Sequence, residues 1–143
     1  MLEIIIVLIL VGIISAVIVS GIKPGNIDLE TGTQVIKSRL RYAQTRAMNS
    51  NSIWGIYINN NTYTLFNNGS IANTIKFPEE TTSIINLPSG ITLTDGTISF
   101  DSWGKPYTDA AGTTLQANDR TLTVSRGADT KLIIITKNTG FIQ

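Results

Sequence analysis

The 143-residue chain contains no cysteine and no histidine. Their absence removes disulfides, thiolate nucleophiles, imidazole bases and the usual ligands of zinc, iron and copper together. Most familiar catalytic arrangements then lose a necessary member, and no Ser-His-Asp, Cys-His, Walker or dinucleotide pattern can be assembled. Charge is sparse and balanced: 11 Lys plus Arg stand against 10 Asp plus Glu, a net charge of +1. No run of like charges marks a nucleic-acid tail. The missing cysteines leave the compartment open, since an oxidising space permits disulfides without requiring them. The length suits one domain with a modest core beside an N-terminal segment.

What the chain has instead is its opening, "MLEIIIVLILVGIISAVIVSGIKPG". Between Ile4 and Val19 only Gly12 and Ser15 interrupt the aliphatic residues, and Glu3 is the one acid before Asp28. At ~1.5 Å per residue, residues 1–22 reach roughly 33 Å as a helix, close to the ~30 Å hydrocarbon core of a bilayer. A cleavable secretory signal needs a basic region before its apolar stretch, and Met1-Leu2-Glu3 supplies an acid. The rest of so short a chain has too little surface to bury a helix that is apolar on all sides. Residues 1–22 are therefore expected to form a hydrophobic helix that spans a membrane. A carboxylate costs ~2.5–3.5 kcal/mol at the membrane centre and less near an end. Glu3 is either a snorkelling end residue or a group kept for a cationic partner that it meets when the helix leaves lipid.

Gly21, Pro24 and Gly25 disfavour a continuous helix, which predicts a break around residues 21–27. Asp28 or Asn26 is expected to cap a restarted helix, within an amphipathic stretch spanning residues 23–52. Ile36, Leu40, Ala43 and Ala47 recur there at helical spacing and form one apolar stripe. Lys37, Arg39, Arg41 and Arg46 fall mainly off it. Such a cluster invites phosphate binding, yet a solvated face, or contacts with Asp28 and Glu30, explains it more simply. Over residues 53–143 the period changes to about two. "IWGIYI", "TYTLF", "SIANTIKF", "SIINL", "TISF", "TLTVS" and "KLIIIT" read as antiparallel strands. Asn59-Asn60-Asn61 and Asn67-Asn68-Gly69 read as hairpin turns. The fold class is α+β, a long N-terminal helix packed on one or two antiparallel sheets.

Three phrases carry a family resemblance. Glu3-Ile4-Ile5-Ile6-Val7-Leu8 is similar to the mature N-terminus of bacterial type IV pilins and type II secretion pseudopilins, which begin with a pattern like Phe-Thr-Leu-Ile-Glu followed by an aliphatic helix. Leu40-Arg41-Tyr42-Ala43-Gln44 resembles the Leu-Arg-x-Ala-Gln pattern of the GspH/FimT branch, as does the ending Thr139-Gly140. The resemblance implies a structural subunit, not an enzyme, that needs no cofactor. It would be anchored in the inner membrane, then polymerised through its N-terminal helix with copies of itself and other pilins by the assembly machinery, in an extracellular pilus or a periplasmic pseudopilus. It also implies a leader cut by a prepilin peptidase and a methylated N-terminal amine. Glu3 stands two positions earlier than the family's conserved Glu, so a Phe-Thr pair and the leader are expected upstream of Met1. In this reading Glu3 is the assembly residue, pairing with the amine of an adjacent subunit. Gly12, Gly21, Pro24 and Gly25 give the helix its flexibility. The frequent pilin proline has no counterpart, since the aligned residue is Ser20.

Other chemistry is thin. In "FDSWGKPYTDAAG", Asp101 and Asp109, with Asp119 beyond, are candidate ligands for a hard cation, and the phrase resembles a loop of major pseudopilins, some of which bind calcium. Calcium needs 6–8 oxygen ligands, and a turn at Gly104-Lys105-Pro106 explains the same residues. Asn60-Asn61-Thr62 and Asn68-Gly69-Ser70 match the N-glycosylation pattern, though turn chemistry explains both. Glu79-Glu80 reads as a solvated loop, and residues 138–143 as a last edge strand. A minor pseudopilin, a single-pass anchored binding domain, or a tethered enzyme restricted to Asp, Glu, Lys, Ser or Tyr stays open beside the pilus subunit. DNA or a surface as cargo stays open too.

Overall fold

The computed structural model describes residues 3–11 and 24–143. Residues 3–11 are helical (α1), and a second helix, α2, runs through Pro24–Ser50. Nine strands follow: β1 (Trp54–Asn59), β2 (Thr62–Asn67), β3 (Ser70–Ile75), β4 (Ile84–Asn86), β5 (Ile91–Leu93), β6 (Gly96–Phe100), β7 (Pro106–Tyr107), β8 (Arg120–Arg126) and β9 (Asp129–Ile135). The architecture is α+β, with α2 packed on antiparallel sheets. Among the described residues no helix is both long and apolar enough to cross a membrane. Met1, Leu2 and residues 12–23, and with them Gly12, Gly21 and most of the expected span, lie outside the described residues.

The expected break does not reach residues 24–27, which belong to α2. Proline constrains the residue before it and the turn behind it, so a helix can run on from Pro24. Asp28 and Asn26 accordingly lie inside α2 and do not begin it. The apolar stripe is longer than its spacing suggested: Leu29 and Thr33 join Ile36, Leu40, Ala43 and Ala47, all buried. Thr33 is tolerated there because its hydroxyl donates to the Leu29 carbonyl one turn back, at 2.7 Å. The helix stops at Ser50, and Asn51 follows with φ 50°, the left-handed conformation common just past a helix end.

The larger sheet has the order β3-β2-β1-β6-β7, and β4 also pairs with β2. β3 takes the Leu65–Asn67 half of that β2 edge and β4 the Thr62–Thr64 half. Asn60 and Asn61 have φ of 47° and 63°, and Asn68 and Gly69 of 52° and 68°. Both two-residue connections thus have positive φ at each central position, the primed turn that matches strand twist. The smaller sheet has the order β5-β8-β9. β5 and β7, of three and two residues, are too short and too close to Pro88, Gly90 and Pro106 to show a period in the sequence. The last residues turn at 137–139 and then lie antiparallel along the edge of β9, paired too briefly for a regular strand: Ile142 forms an isolated bridge with Ile135, and Ile134 and Gln143 exchange backbone bonds.

α2 lies across both sheets. Its stripe meets Trp54, Ile56, Ile58, Leu65, Ile98 and Phe100 of the larger sheet and Leu122, Val124, Ile133 and Ile135 of the smaller in one buried cluster. Phe66 is fully buried outside that cluster. Its ring approaches β1 at Gly55, where an added Cβ would collide with the ring and with the Ile98 carbonyl. The 108–114 loop lies on that side of the sheet: buried Ser99 donates to the Asp109 carbonyl at 2.6 Å, and Gly69 approaches Ala111. Gly55→Ala is therefore expected to destabilise the domain by about 1–3 kcal/mol through overpacking. Denaturant unfolding checks this through the shift in its midpoint.

Candidate functional site

α1 is the first candidate surface. Each residue from Ile4 to Val11 is at least half exposed among the described residues, an unbroken run of eight large aliphatic side chains. Glu3 stands at its start, helical and exposed. Such a surface in water opposes the hydrophobic effect and needs lipid or protein against it.

The second element is the attachment of the strand domain to α2, fastened on both flanks. On one, Gln44 Nε2 lies 2.9, 3.1 and 3.2 Å from the carbonyl oxygens of Gly104, Thr139 and Gly140. Arg41 Nη2 donates to the Ile142 carbonyl at 2.9 Å. The Arg-x-x-Gln spacing puts both side chains on one flank, where two loops bring carbonyls that no strand uses. Gly140 has no room for a side chain, since a Cβ would sit 2.7 Å from Gln44 Nε2.

On the other flank Arg39 lies over the buried Phe77 ring, 4.5 Å from its centroid, and pairs with Glu80 at 2.5 Å. Tyr42 and Tyr63 pack on the same ring, at centroid distances of 5.8 and 5.9 Å. Burial, the largest influence, raises the Tyr63 pKa. Glu80 is thus a partner and not a solvated loop residue, a pairing across 41 positions that no local pattern signals. The helix acids face the smaller sheet: Asp28 pairs with Arg126, and Glu30 with Lys131 at 3.0 Å. They do not meet the helix arginines. Hydrogen bonds from Gln34 first, then from Lys131, lower the Glu30 pKa. Arg46 lies over the Trp54 ring at 4.9 Å. Arg39 and Arg46 therefore serve packing as well as charge.

Of the three candidate cation ligands, Asp101 and Asp109 serve their own loops and Asp119 a neighbouring one. Asp101 Oδ1 accepts from the Trp103 and Lys105 amides at 2.8 and 2.9 Å, and its Oδ2 from the Tyr107 hydroxyl at 3.0 Å. Asp109 accepts from the Thr113 and Thr114 amides and the Thr113 hydroxyl. Asp119 accepts from the Lys137 amide at 2.9 Å. Among the described residues no group of three or more acidic side chains is placed to hold a metal ion. Asn60 and Asn68 occupy turns, as their neighbours predict.

The residue pattern and the fold together meet a known family. Residues 32–140 match the family model described as Type II transport protein GspH. The chain belongs to the GspH family. Two solved structures are similar. Over 82% of this chain and 88% of the other, it superposes on the type IV minor pilin FimU of Pseudomonas aeruginosa (strain PAO1) with a TM-score of 0.60 and 13% identity. Over 81% and 94%, it superposes on EpsH, the minor pseudopilin of the Type 2 Secretion System of Vibrio cholerae, with a TM-score of 0.57 and 14% identity. At these identities the likeness is one of fold. A search of the curated proteins gives no match. The matched region of this GspH-family chain contains Gln44 with its three carbonyl partners and the Arg39–Glu80 pair, so this part of the fastening of α2 lies inside the family domain.

Two outcomes follow. Gln44→Ala leaves three loop carbonyls without that donor and should cost about 1–3 kcal/mol. Hydrogen exchange should then quicken in residues 101–105 and 136–141 and stay unchanged in β1. For Asp109, desolvation raises the pKa, but hydrogen bonds from Thr114 and Thr113 outweigh it and leave it lowered. A depressed folded pKa gives stability that is present above the unfolded value of ~3.9 and is lost as pH falls through the folded one. Asp109→Asn should flatten that acid-side loss, as read by thermal melting across pH.

Proposed function

We propose that this chain is a structural subunit of a type IV pilus-like filament, anchored in the inner membrane before assembly and polymerised through its N-terminal helix. The observation that carries the reading is the eight-residue aliphatic surface of α1, in a chain whose remaining domain has the GspH fold. Lipid covers that surface in the membrane pool, and copies of the same helix, or of other pilins, cover it in the filament. Membership of the GspH family supports a pilus or a type II secretion pseudopilus alike. The finished filament is then extracellular in the first case and periplasmic in the second.

Within this reading Glu3 pairs with the N-terminal amine of an adjacent subunit and sets axial register. An ion pair in an apolar core contributes only when both members are present, and removing one leaves an uncompensated charge. In this reading Gly12, Gly21, Pro24 and Gly25 are the residues that would let the N-terminal helix adjust on assembly. The role is structural, not enzymatic, and needs no cofactor.

Glu3→Gln should reduce assembly strongly, because loss of one member of a buried pair costs about 3–5 kcal/mol at each contact. Electron microscopy of filaments sheared from cells, with mass spectrometry of the subunit and its N-terminal peptide, measures this. Wild-type chain in surface filaments supports the pilus, and wild-type chain in periplasmic polymers the pseudopilus. Normal polymers from Glu3→Gln would overturn the assigned role of Glu3. A wild-type chain absent from every polymer would leave a single-pass anchored binding domain as the better account.

A further inference from the structure

Trp103 is 81% exposed, yet the backbone that carries it is fixed. Asp101 Oδ1 accepts from the Trp103 and Lys105 amides, the Asp101 carbonyl accepts from the Gly104 amide, and Gln44 of α2 donates to the Gly104 carbonyl. The indole enters no ring or cation contact among the described residues. Exposed Met48 is close by, with its sulfur against Gly104. An exposed tryptophan on a fixed backbone gives up little freedom on binding and offers a large apolar surface, the character of an interface anchor.

A complement to it lies on the same molecule. Beside the N-terminal half of α2 is a groove of about 400 Å³ whose walls include Val35, Ile36, Tyr63 and Leu87, with the more exposed Asp28–Arg126 pair also lining it. Its size falls in the ~300–1,000 Å³ range of pockets that hold compact organic groups. The flat apolar body of an indole suits these walls, its N–H suits a carboxylate, and its face suits a guanidinium. Lys105, exposed beside Trp103 and in no ion pair among the described residues, would bring a positive charge to Asp28.

Placement decides how the two can meet. At ~3.6 residues per turn, Asp28 and Val35 fall on one flank of α2 and Gln44 and Met48 on the opposite flank, with the buried stripe between them. At ~1.5 Å per residue the two stations are about 20 Å apart along the helix. Trp103 therefore does not reach the groove of its own chain, whereas a neighbouring copy shifted by that distance brings one to the other. A surface and its distinct complement on one molecule give a head-to-tail contact that repeats along a filament.

We propose that Trp103 of one copy seats in the groove between Val35 and Leu87 of the next copy along the filament, with its ring against Arg126 and Lys105 beside Asp28. This contact rests on the filament reading, since copies anchored at one depth in a membrane lack the axial shift.

The chain has no cysteine, so introduced thiols report without background. Full-length Ser102→Cys, next to the indole, and Ser89→Cys, in the groove lining, are co-expressed in the native cells, and the sheared or periplasmic polymers are treated with a bis-maleimide. A cross-linked dimer should form only when both variants are present. Adding Trp103→Ala to the Ser102→Cys chain should lower the dimer yield at least ~10-fold, the loss of an interface anchor, and Trp103→Phe should lower it less. Polymers that contain both variants and give no dimer would overturn the contact and leave the filament reading standing. An undiminished dimer from Trp103→Ala would overturn it too, as would an equal yield with Ser70→Cys of β3 in place of Ser89→Cys. A wild-type chain absent from every polymer would overturn both readings together.

Discussion

Everything in the strand domain depends on one line of contact, the stripe from Leu29 through Thr33, Ile36, Leu40 and Ala43 to Ala47. The two sheets are separate hydrogen-bonded units, and each is small. A three-stranded sheet has no core of its own, and the larger sheet needs an apolar layer over its inner face. α2 is that layer for both. Its residues change size along the stripe, from leucine and isoleucine to the two alanines. A helix with this single narrow stripe cannot also bury its other faces, which leaves them free for polar fastening.

That fastening is unequal in strength. The Asp28–Arg126 and Glu30–Lys131 pairs are well exposed, and pairs of this kind contribute little because water and salt screen them. Gln44 and Arg41 act differently. They meet backbone carbonyls in loops that no ladder satisfies, where leaving an acceptor unmet is the larger cost. Arg39 lies between these cases, since its stem and guanidinium cover Phe77 while its charge meets Glu80. The helix thus carries basic residues that look alike in sequence and do separate jobs, Arg41 on a carbonyl and Arg39 on a ring and a carboxylate.

What could be read from the sequence follows the range of the interaction. The stripe on α2, seven of the strands and both asparagine turns rest on spacing within a few residues, and these signals were legible. β5 and β7 were not, because each is two or three residues long and follows Gly90 or begins at Pro106. Glu80 looked like a loop acid because its partner lies in the helix, and Asp28 and Glu30 were expected beside helix arginines because sequence proximity was the only guide. Asp101 and Asp109 show the same limit. An acid in a glycine-rich loop has the same sequence signature whether it binds a cation or its own amides, and here the amides take the oxygens. On α1, Glu3 and the aliphatic run were plain, while the Gln44 and Arg41 contacts across the fold were not.

The stitching of the last residues to the helix has a mechanical meaning. The Ile142 carbonyl on Arg41 and the Gly140 carbonyl on Gln44 tie the C-terminal turn to α2, while Ile134 and Gln143 tie it to β9. A pull entering along α2 therefore reaches the smaller sheet through several links loaded side by side, and not through one that opens before the next. Bonds stressed together in shear resist far more than bonds unzipped in sequence. The chain's end closes the load path between the helix that would be pulled and the sheet that it carries.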